Sequence, residues 1–431
     1  MIIMMIIWGD NVKKIDLSKL FKKKKTKKKW FKNLFKGRGE DSFNTFEVVL
    51  IIFVSVLFGV IVGCIISSTR LGIVGNEIST ELEEVITTYD NIMSEYYDEV
   101  DEKELMNAAI SGMVSILDDP YSTYLDSNST YNFNQSVDGE YVGLGITISW
   151  LDGICTITEV NKNGPAYKQG LKVGDIITAV DYNDVTKSTL DEISGLLTGA
   201  EGSEVVVTVN RNGETKEFKV KREVIEIQSV SGKVIESNNK KVGYLDIDTF
   251  ASNTYEQFVK ELKKLEKKNI DSLIIDVRCN SGGRLSQVNK IMDEFLGKKV
   301  EIYRIETKGK VEKIYTENKT KRSYPVAVLV NDGSASASEI LATAFNDKYK
   351  DATIVGTTTY GKSSIQKAVE LSSGSSVKYT IQKWLTSKGE DLHGKGLKPD
   401  VEVQQGEAYC EDLSDENDEQ LKKAVEVLAN K

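Results

Sequence analysis

From Val48 to Ser67 the chain reads "VVLIIFVSVLFGVIVGCIIS", twenty positions without a charged side chain. That is the length a helix needs to cross the hydrocarbon core of a bilayer, so the pattern predicts a transmembrane helix over 48–68. In "ISTELEEVITTYDNIMSEYYDEV" and "DEKELMNAAISGMVSILDD" apolar residues recur three and four apart, the period of amphipathic helices. This predicts a helical segment over 77–130, whose second helix stops at Asp118, Asp119 and Pro120. Between 141 and 223 the runs shorten to β-branched stretches such as "ICTITEV" and "EVVVTVNRN" between Gly, Asn and Asp turns, with one helix at "STLDEISGLL". From 224 to 403 the strands "VGYLDI", "SLIIDVR", "VAVLVN" and "ATIVG" alternate with helical patterns at 254–268, 285–296 and 336–347. That alternation predicts an α/β core. An acidic stretch and an amphipathic helix fill 404–431.

Charge sharpens this picture. Residues 1–47 hold thirteen Lys/Arg against five Asp/Glu, a net of +8 within an overall −9, so the remaining residues carry −17. Lys and Arg crowd the N-terminal side of the apolar span and only Arg70 lies just beyond it. The expectation is a single-pass protein of the cell membrane, with residues 1–47 as a basic cytoplasmic arm and everything after about residue 70 extracytoplasmic. The lysine run then sets topology, and no nucleic-acid binding is expected of it. Ile61-Val62-Gly63-Cys64 also fits a lipoprotein cleavage site, which would make Cys64 an acylated N-terminus. "MIIMMIIW" at the start is too short to span. Cysteines at 64, 155, 279 and 410 and the single histidine, His393, support neither a metal site nor a disulfide framework. Four prolines leave no Pro-rich linker, so the modules are expected to pack on one another.

Two regions carry candidate chemistry. Gly143, Leu144, Gly145 and Ile146 open a strand, and "NGPAYKQGLKVGDIITAVD" follows. Together they resemble a PDZ domain, in which amides of a glycine loop converge on a carboxylate and a strand edge accepts a peptide tail. The second region is "NDGSASASEI", residues 331–340, with three serines at alternate positions. A serine nucleophile needs a base, and His393 lies in a polar, glycine-rich turn. A lysine is the alternative. Lys362, in "TTTYGKSSIQ" twenty-six residues after Ser336, follows a buried-looking strand, and burial would lower its pKa toward what a general base requires.

"VLVNDGSASASEILATAF", "VGTTTYGKSSIQ", "DVRCNSGG", "GKGLKPDVEV" and "GMVSILDDPYSTYL", together with the PDZ-like module, resemble the C-terminal processing peptidases, the S41 family of serine proteases. The resemblance runs from about residue 77 to the end. It implies a ClpP/crotonase-like α/β protease core at 224–403 behind a PDZ domain at 141–223. It also implies Ser336 as nucleophile, Lys362 as general base and Gln366 as the residue that orients the lysine. The family spacing from serine to lysine is usually one residue shorter, and Tyr360 stands where the family usually has Phe. On this reading the amide of Ala337 faces the oxyanion, with Gly282 or Gly283 as the second donor. Ser334 and Ser338 serve packing or hydrogen bonding, and Glu339 sits in the first helical turn without a catalytic role. The resemblance implies no cofactor, protein or peptide substrates with free apolar C-termini, PDZ-gated activity, and a homodimer or larger homo-oligomer formed through the terminal helical segments. The alternatives are a catalytically inactive PDZ-containing scaffold, or different chemistry on a related acyl-CoA hydratase-like core.

Overall fold

The computed structural model describes residues 50, 52–60, 79–151, 153–318, 320–406, 409 and 414–431. The chain divides into two units, Met1–Glu99 and Val100–Lys431. In the first, residues 52–60 are helical and expose their apolar side chains. No helix among the described residues is long and apolar enough to cross a membrane. The rest of the 48–68 span, Cys64 and the arm 1–47 lie outside the described residues. Helix α1, Thr80–Glu95, starts at Ser79, whose hydroxyl caps the Leu82 amide. It buries none of its residues, and Leu82, Val85, Ile86 and Met93 are exposed along it.

The second unit begins with α2 (Glu102–Ser115), β1 (Thr123–Leu125) and α3 (Ser127–Asp138). The sequence of α3, "SNSTYNFNQSVD", has almost no apolar period, and hydropathy alone does not predict a helix reaching Asp138. Its ends hold it. The Asp126 carboxylate accepts the Ser129 amide at 2.7 Å, and Gly139, at φ 75°, stops the helix and returns its N–H to the Gln135 carbonyl.

A β-rich module follows, joined to the rest by the antiparallel pair β2 (Glu140–Gly143) and β9 (Glu223–Glu226). Between them come β3 (Ile146–Leu151), β4 (Ile154–Val160), α4 (Pro165–Gln169), β5 (Ile176–Val180), β6 (Asn183–Asp184), α5 (Leu190–Leu197), β7 (Glu204–Arg211) and β8 (Glu214–Lys221). The sheet runs β3-β4-β5-β7-β8, so β3 is an edge strand. Alternate residues of β7, Val205, Val207 and Val209, point into a core shared with Ile157, Ile177 and Ile193.

The large core is a six-stranded sheet in the order β10 (Val230–Ser237), β11 (Lys240–Ile247), β12 (Ser272–Asp276), β15 (Val326–Val330), β16 (Ala352–Gly356), β19 (Val401–Glu402), parallel from β11 onward. Parallel strands are covered on both faces, and each strand here divides its residues between two cores. Leu273, Ile275, Val326 and Val328 pack on α6 (Thr254–Glu266), α7 (Leu285–Asp293) and α8 (Ala337–Lys348). Ile274, Ala327 and Leu329 face the opposite way, onto Leu421, Ala424 and Leu428 of α9 (Glu419–Ala429). The C-terminal helix therefore spends its apolar face inside its own chain. A second sheet, not foreseen in the α/β alternation, pairs β1 with β18 (Ser376–Thr386), and β18 with β17 (Ser364–Glu370) and β13 (Glu301–Thr307), which pairs with β14 (Lys310–Tyr315). It is antiparallel throughout.

Asp418 ties α9 down. Its carboxylate caps the Leu421 amide at 2.8 Å and pairs with Arg278, which also grips Asp276. Burial pushes the Asp418 carboxyl up, but its bonds to Arg278, Gln405 and Leu421 outweigh burial and hold it below the usual range. Asp418→Ala is expected to lower the unfolding free energy by roughly 2–4 kcal/mol in chemical denaturation at neutral pH. Because the folded pKa is depressed, this contribution is complete above the unfolded carboxylate range. The gap between parent and variant should close as the pH falls below about 4.

Candidate active site

Four loops leave the carboxyl ends of neighbouring parallel strands and meet: Phe250 after β11, Gly282 and Gly283 after β12, Ser336 after β15, and Lys362 after β16. Open α/β sheets place ligands outside the carboxyl ends of their strands. Here Phe250, Gly282, Gly283, Ser336 and Lys362 all line one cleft of about 730 Å³. Phe133 and Val137 of α3, Gln366 and Ala368 of β17, and Lys378 of β18 complete its walls.

The three serines differ in what their hydroxyls already do. Ser334 is fully buried and donates to the Val277 carbonyl at 2.7 Å. Ser338, equally buried, donates to the Asn280 carbonyl at 2.8 Å. Both fasten the β15–α8 turn to the loop after β12. Ser336 lies between them at the mouth of α8, partly exposed in the cleft, with φ 56° and ψ −111°. Such a backbone in a residue with a side chain costs about 1–3 kcal/mol and persists only where its surroundings fix it.

Glu339 does the fixing. It is fully buried in the first turn of α8, and its Oε2 accepts the Ser336 amide at 2.9 Å and the Lys362 amide at 2.8 Å. Oε1 accepts the Thr359 hydroxyl at 2.5 Å and the Gly361 amide at 2.8 Å. One carboxylate thus holds the backbones of Ser336 and Lys362 at a single oxygen. The sequence places Glu339 in the first turn and gives no sign of this role. Three of its four donors come from residues 359–362, a contact that no local pattern announces.

The Lys362 carbonyl accepts the indole N–H of fully buried Trp384 at 2.9 Å. Its ammonium stands 4.6 Å above the centre of the Tyr121 ring. Burial lowers the pKa of this amine, and the charge of Lys378 lowers it further, against the opposing charges of Asp119 and Glu339. Burial raises the Asp119 carboxyl, but hydrogen bonds from Ser122, Thr380 and the Tyr121 amide outweigh it and hold the group ionised. Asp119 and Tyr121 belong to the "DDPYSTYL" stretch, more than 200 residues before Ser336 and Lys362 in the sequence.

Gln366 lines the cleft but makes no hydrogen bond to Lys362 among the described residues. Its amide donates to Ser364 Oγ at 2.9 Å and Thr380 Oγ1 at 3.1 Å, and Thr380 in turn donates to Asp119. Of the two glycines, Gly282 is closest to Ser336: a Cβ there would sit 2.9 Å from Ser336 Cβ and 3.1 Å from the Ala337 nitrogen. Its own N–H, however, donates to Asn280 Oδ1 at 2.9 Å. The Gly283 amide and the Ala337 amide donate to no acceptor among the described residues. Gly282 therefore gives space beside Ser336 while its own amide is already engaged. His393 is exposed, its ring centre 6.4 Å from that of Tyr121 in an edge-on arrangement, and it does not line the cleft.

A second cavity, about 240 Å³, lies in the β-rich module between edge strand β3 and α5. Gly143, Leu144, Ile146, Ile148 and Leu197 line it, as do Tyr131, Asn132 and Gln135 of α3. Gly145, at φ 73°, turns the chain at its head, and the amides of Leu144 and Gly145 meet no acceptor among the described residues.

Residues 241–403 match the profile of peptidase family S41, residues 142–221 that of a PDZ domain, and residues 68–129 that of the activating protease CtpB N-terminal domain. The carboxy-terminal processing protease CtpB of Bacillus subtilis (strain 168) is 36% identical over 338 residues, covering 78% of this chain and 70% of its own. A probable CtpA-like serine protease of Staphylococcus aureus (strain COL) is 34% identical over 362 residues, covering 81% and 72%. Among solved structures, the photosystem II D1 C-terminal processing protease aligns with 26% identity over 76% of this chain and 88% of its own, at a TM-score of 0.44. The profile over the core and the identity shared with full-length relatives place the chain in peptidase family S41, among the carboxy-terminal processing serine proteases.

Proposed function

We propose that this protease is anchored by residues 48–68 with its arm 1–47 in the cytoplasm, and cuts extracytoplasmic polypeptides by a Ser336–Lys362 dyad. The observation that carries the dyad is the division among the serines: Ser334 and Ser338 are spent on carbonyls, whereas Ser336 faces the cleft from a strained backbone clamped to that of Lys362. Neutral Lys362 takes the proton from Ser336 Oγ as the oxygen attacks the scissile carbonyl carbon. The developing oxyanion meets the amides of Ala337 and Gly283. The tetrahedral species collapses, the C–N bond breaks, and Lys362 gives the proton to the leaving amine. Water, deprotonated by Lys362, then hydrolyses the acyl-enzyme and restores Ser336.

Substrates are taken to be proteins whose free, apolar C-terminus enters the PDZ cavity. Its head offers two unused amides to a carboxylate, and Ile146, Ile148 and Leu197 offer an apolar floor. Edge strand β3 supplies the backbone for an added strand. Exposed apolar residues along α1 favour assembly into a homodimer or larger homo-oligomer.

Full-length protein in detergent is expected to cleave an unstructured polypeptide ending in a free apolar carboxylate and to spare its amidated twin. Ser336→Ala and Lys362→Ala should each lower kcat by at least about 10³-fold. Cleavage that survives loss of Ser336 would sink the dyad. The acid limb of the pH profile should follow Lys362, with activity rising as the ammonium loses its proton. Lys378→Gln removes the neighbouring positive charge and should move that limb to higher pH. Glu339→Gln weakens the clamp without emptying its volume, and a kcat loss of about 10²-fold with KM little changed is expected in steady-state kinetics.

A further inference from the structure

Helix α3 lies outside the stretch that matches a PDZ domain, yet it closes the PDZ cavity. At 100° per residue, Tyr131, Asn132 and Gln135 fall on one side of the helix. Phe133, Asn134, Ser136 and Val137 fall on the other, and these are its residues in the catalytic cleft. One twelve-residue helix is thus a wall of both cavities. It is also secured on the cleft side: Arg284, next to Gly283, donates to the Val137 carbonyl at 3.1 Å and pairs with Asp138 at 2.8 Å.

The face turned to the PDZ cavity carries unused polar groups. The side-chain amides of Asn132 and Gln135 and the hydroxyl of Tyr131 make no hydrogen bond among the described residues. The cavity lining has no charged side chain, so a carboxylate there depends on neutral donors. At about 240 Å³ it is smaller than the roughly 300–1,000 Å³ of sites for drug-sized ligands, and its natural occupant is the end of a chain.

We propose that Asn132 and Gln135 of α3, with Tyr131 beside them, complete the site for the substrate's C-terminal residue, donating to the carboxylate end that the Leu144 and Gly145 amides receive. This rests on the tail recognition proposed above. The PDZ-like module then has a wall borrowed from outside itself, and selectivity for the final residue depends on both.

The test uses full-length Ser336→Ala protein in detergent, which binds without cleaving. The probe is a fluorescein-labelled decapeptide ending in a free valine carboxylate, with its amidated twin as reference, read by anisotropy. Gln135→Ala and Asn132→Ala should each weaken binding of the free tail by about 5–10-fold, and leave the weaker binding of the amide unchanged. Gln135→Lys, which brings a cation to the carboxylate, should tighten the free tail severalfold, a gain that misfolding cannot mimic. Ile146→Glu, on the opposite wall, should abolish tail binding. If Ile146→Glu abolishes binding while all three α3 variants bind as the parent does, α3 is not part of the site and tail recognition stands without it. If the parent does not distinguish free from amidated tails, or Ile146→Glu binds unchanged, tail recognition itself fails and this assignment fails with it.

Discussion

A single buried carboxylate organises the catalytic half of the molecule. Glu339 lies in a fully dry position where an unpaired charge would be costly, and four donors from two separate loops satisfy it. The bonds work in both directions. The loops keep the charge buried, and the charge keeps the loops together, so the strained Ser336 backbone cannot relax without leaving an anion short of a partner. Trp384 secures the Lys362 loop from behind, and Ser334, Ser338 and Asn280 secure the loop opposite. The cleft inherits its shape from these contacts, none of which belongs to a reacting atom.

The sequence makes part of this legible. Alternation of strands and helices announces the parallel core, and the small residues around Ser336 with a lysine after a buried strand point to two of the cleft residues. Glu339 is hidden because a glutamate in a first helical turn already has an ordinary explanation in the helix dipole. Gly282 and Gly283 are chemically identical in the sequence, and it takes the structure to show that the side chain of Asn280 occupies the Gly282 amide and that Gly282 is the one packed against Ser336. Gln366 lies on the right strand, but Ser364 and Thr380 compete for its amide. Helix α3 escapes a hydropathy reading because caps at Asp126 and Gly139, rather than an apolar stripe, define it. The antiparallel sheet is similarly quiet: β13, β14 and β17 interleave charged residues with apolar ones and lack a continuous apolar run.

Placement of α3 also explains how two modules share one unit. The β2–β9 pair is a narrow neck, and a neck alone leaves a module free to swing. Asn253 donates to the Gly139 carbonyl at 2.6 Å and the Ser252 amide to the Val137 carbonyl at 2.9 Å, so the end of α3 is stitched to the core just before the neck begins.

The position of α9 in the chain sets an order of events. During synthesis, Ser336, Glu339 and Lys362 emerge before the helix that covers the back of their sheet. Until residues 418–428 follow, Ile274, Ala327 and Leu329 face solvent, and Arg278, four residues before Gly282, lacks one of its two carboxylates. A nascent chain that already holds every cleft residue is still an incomplete sandwich, and one face of its central sheet stays bare until residues 419–429 have emerged to cover it.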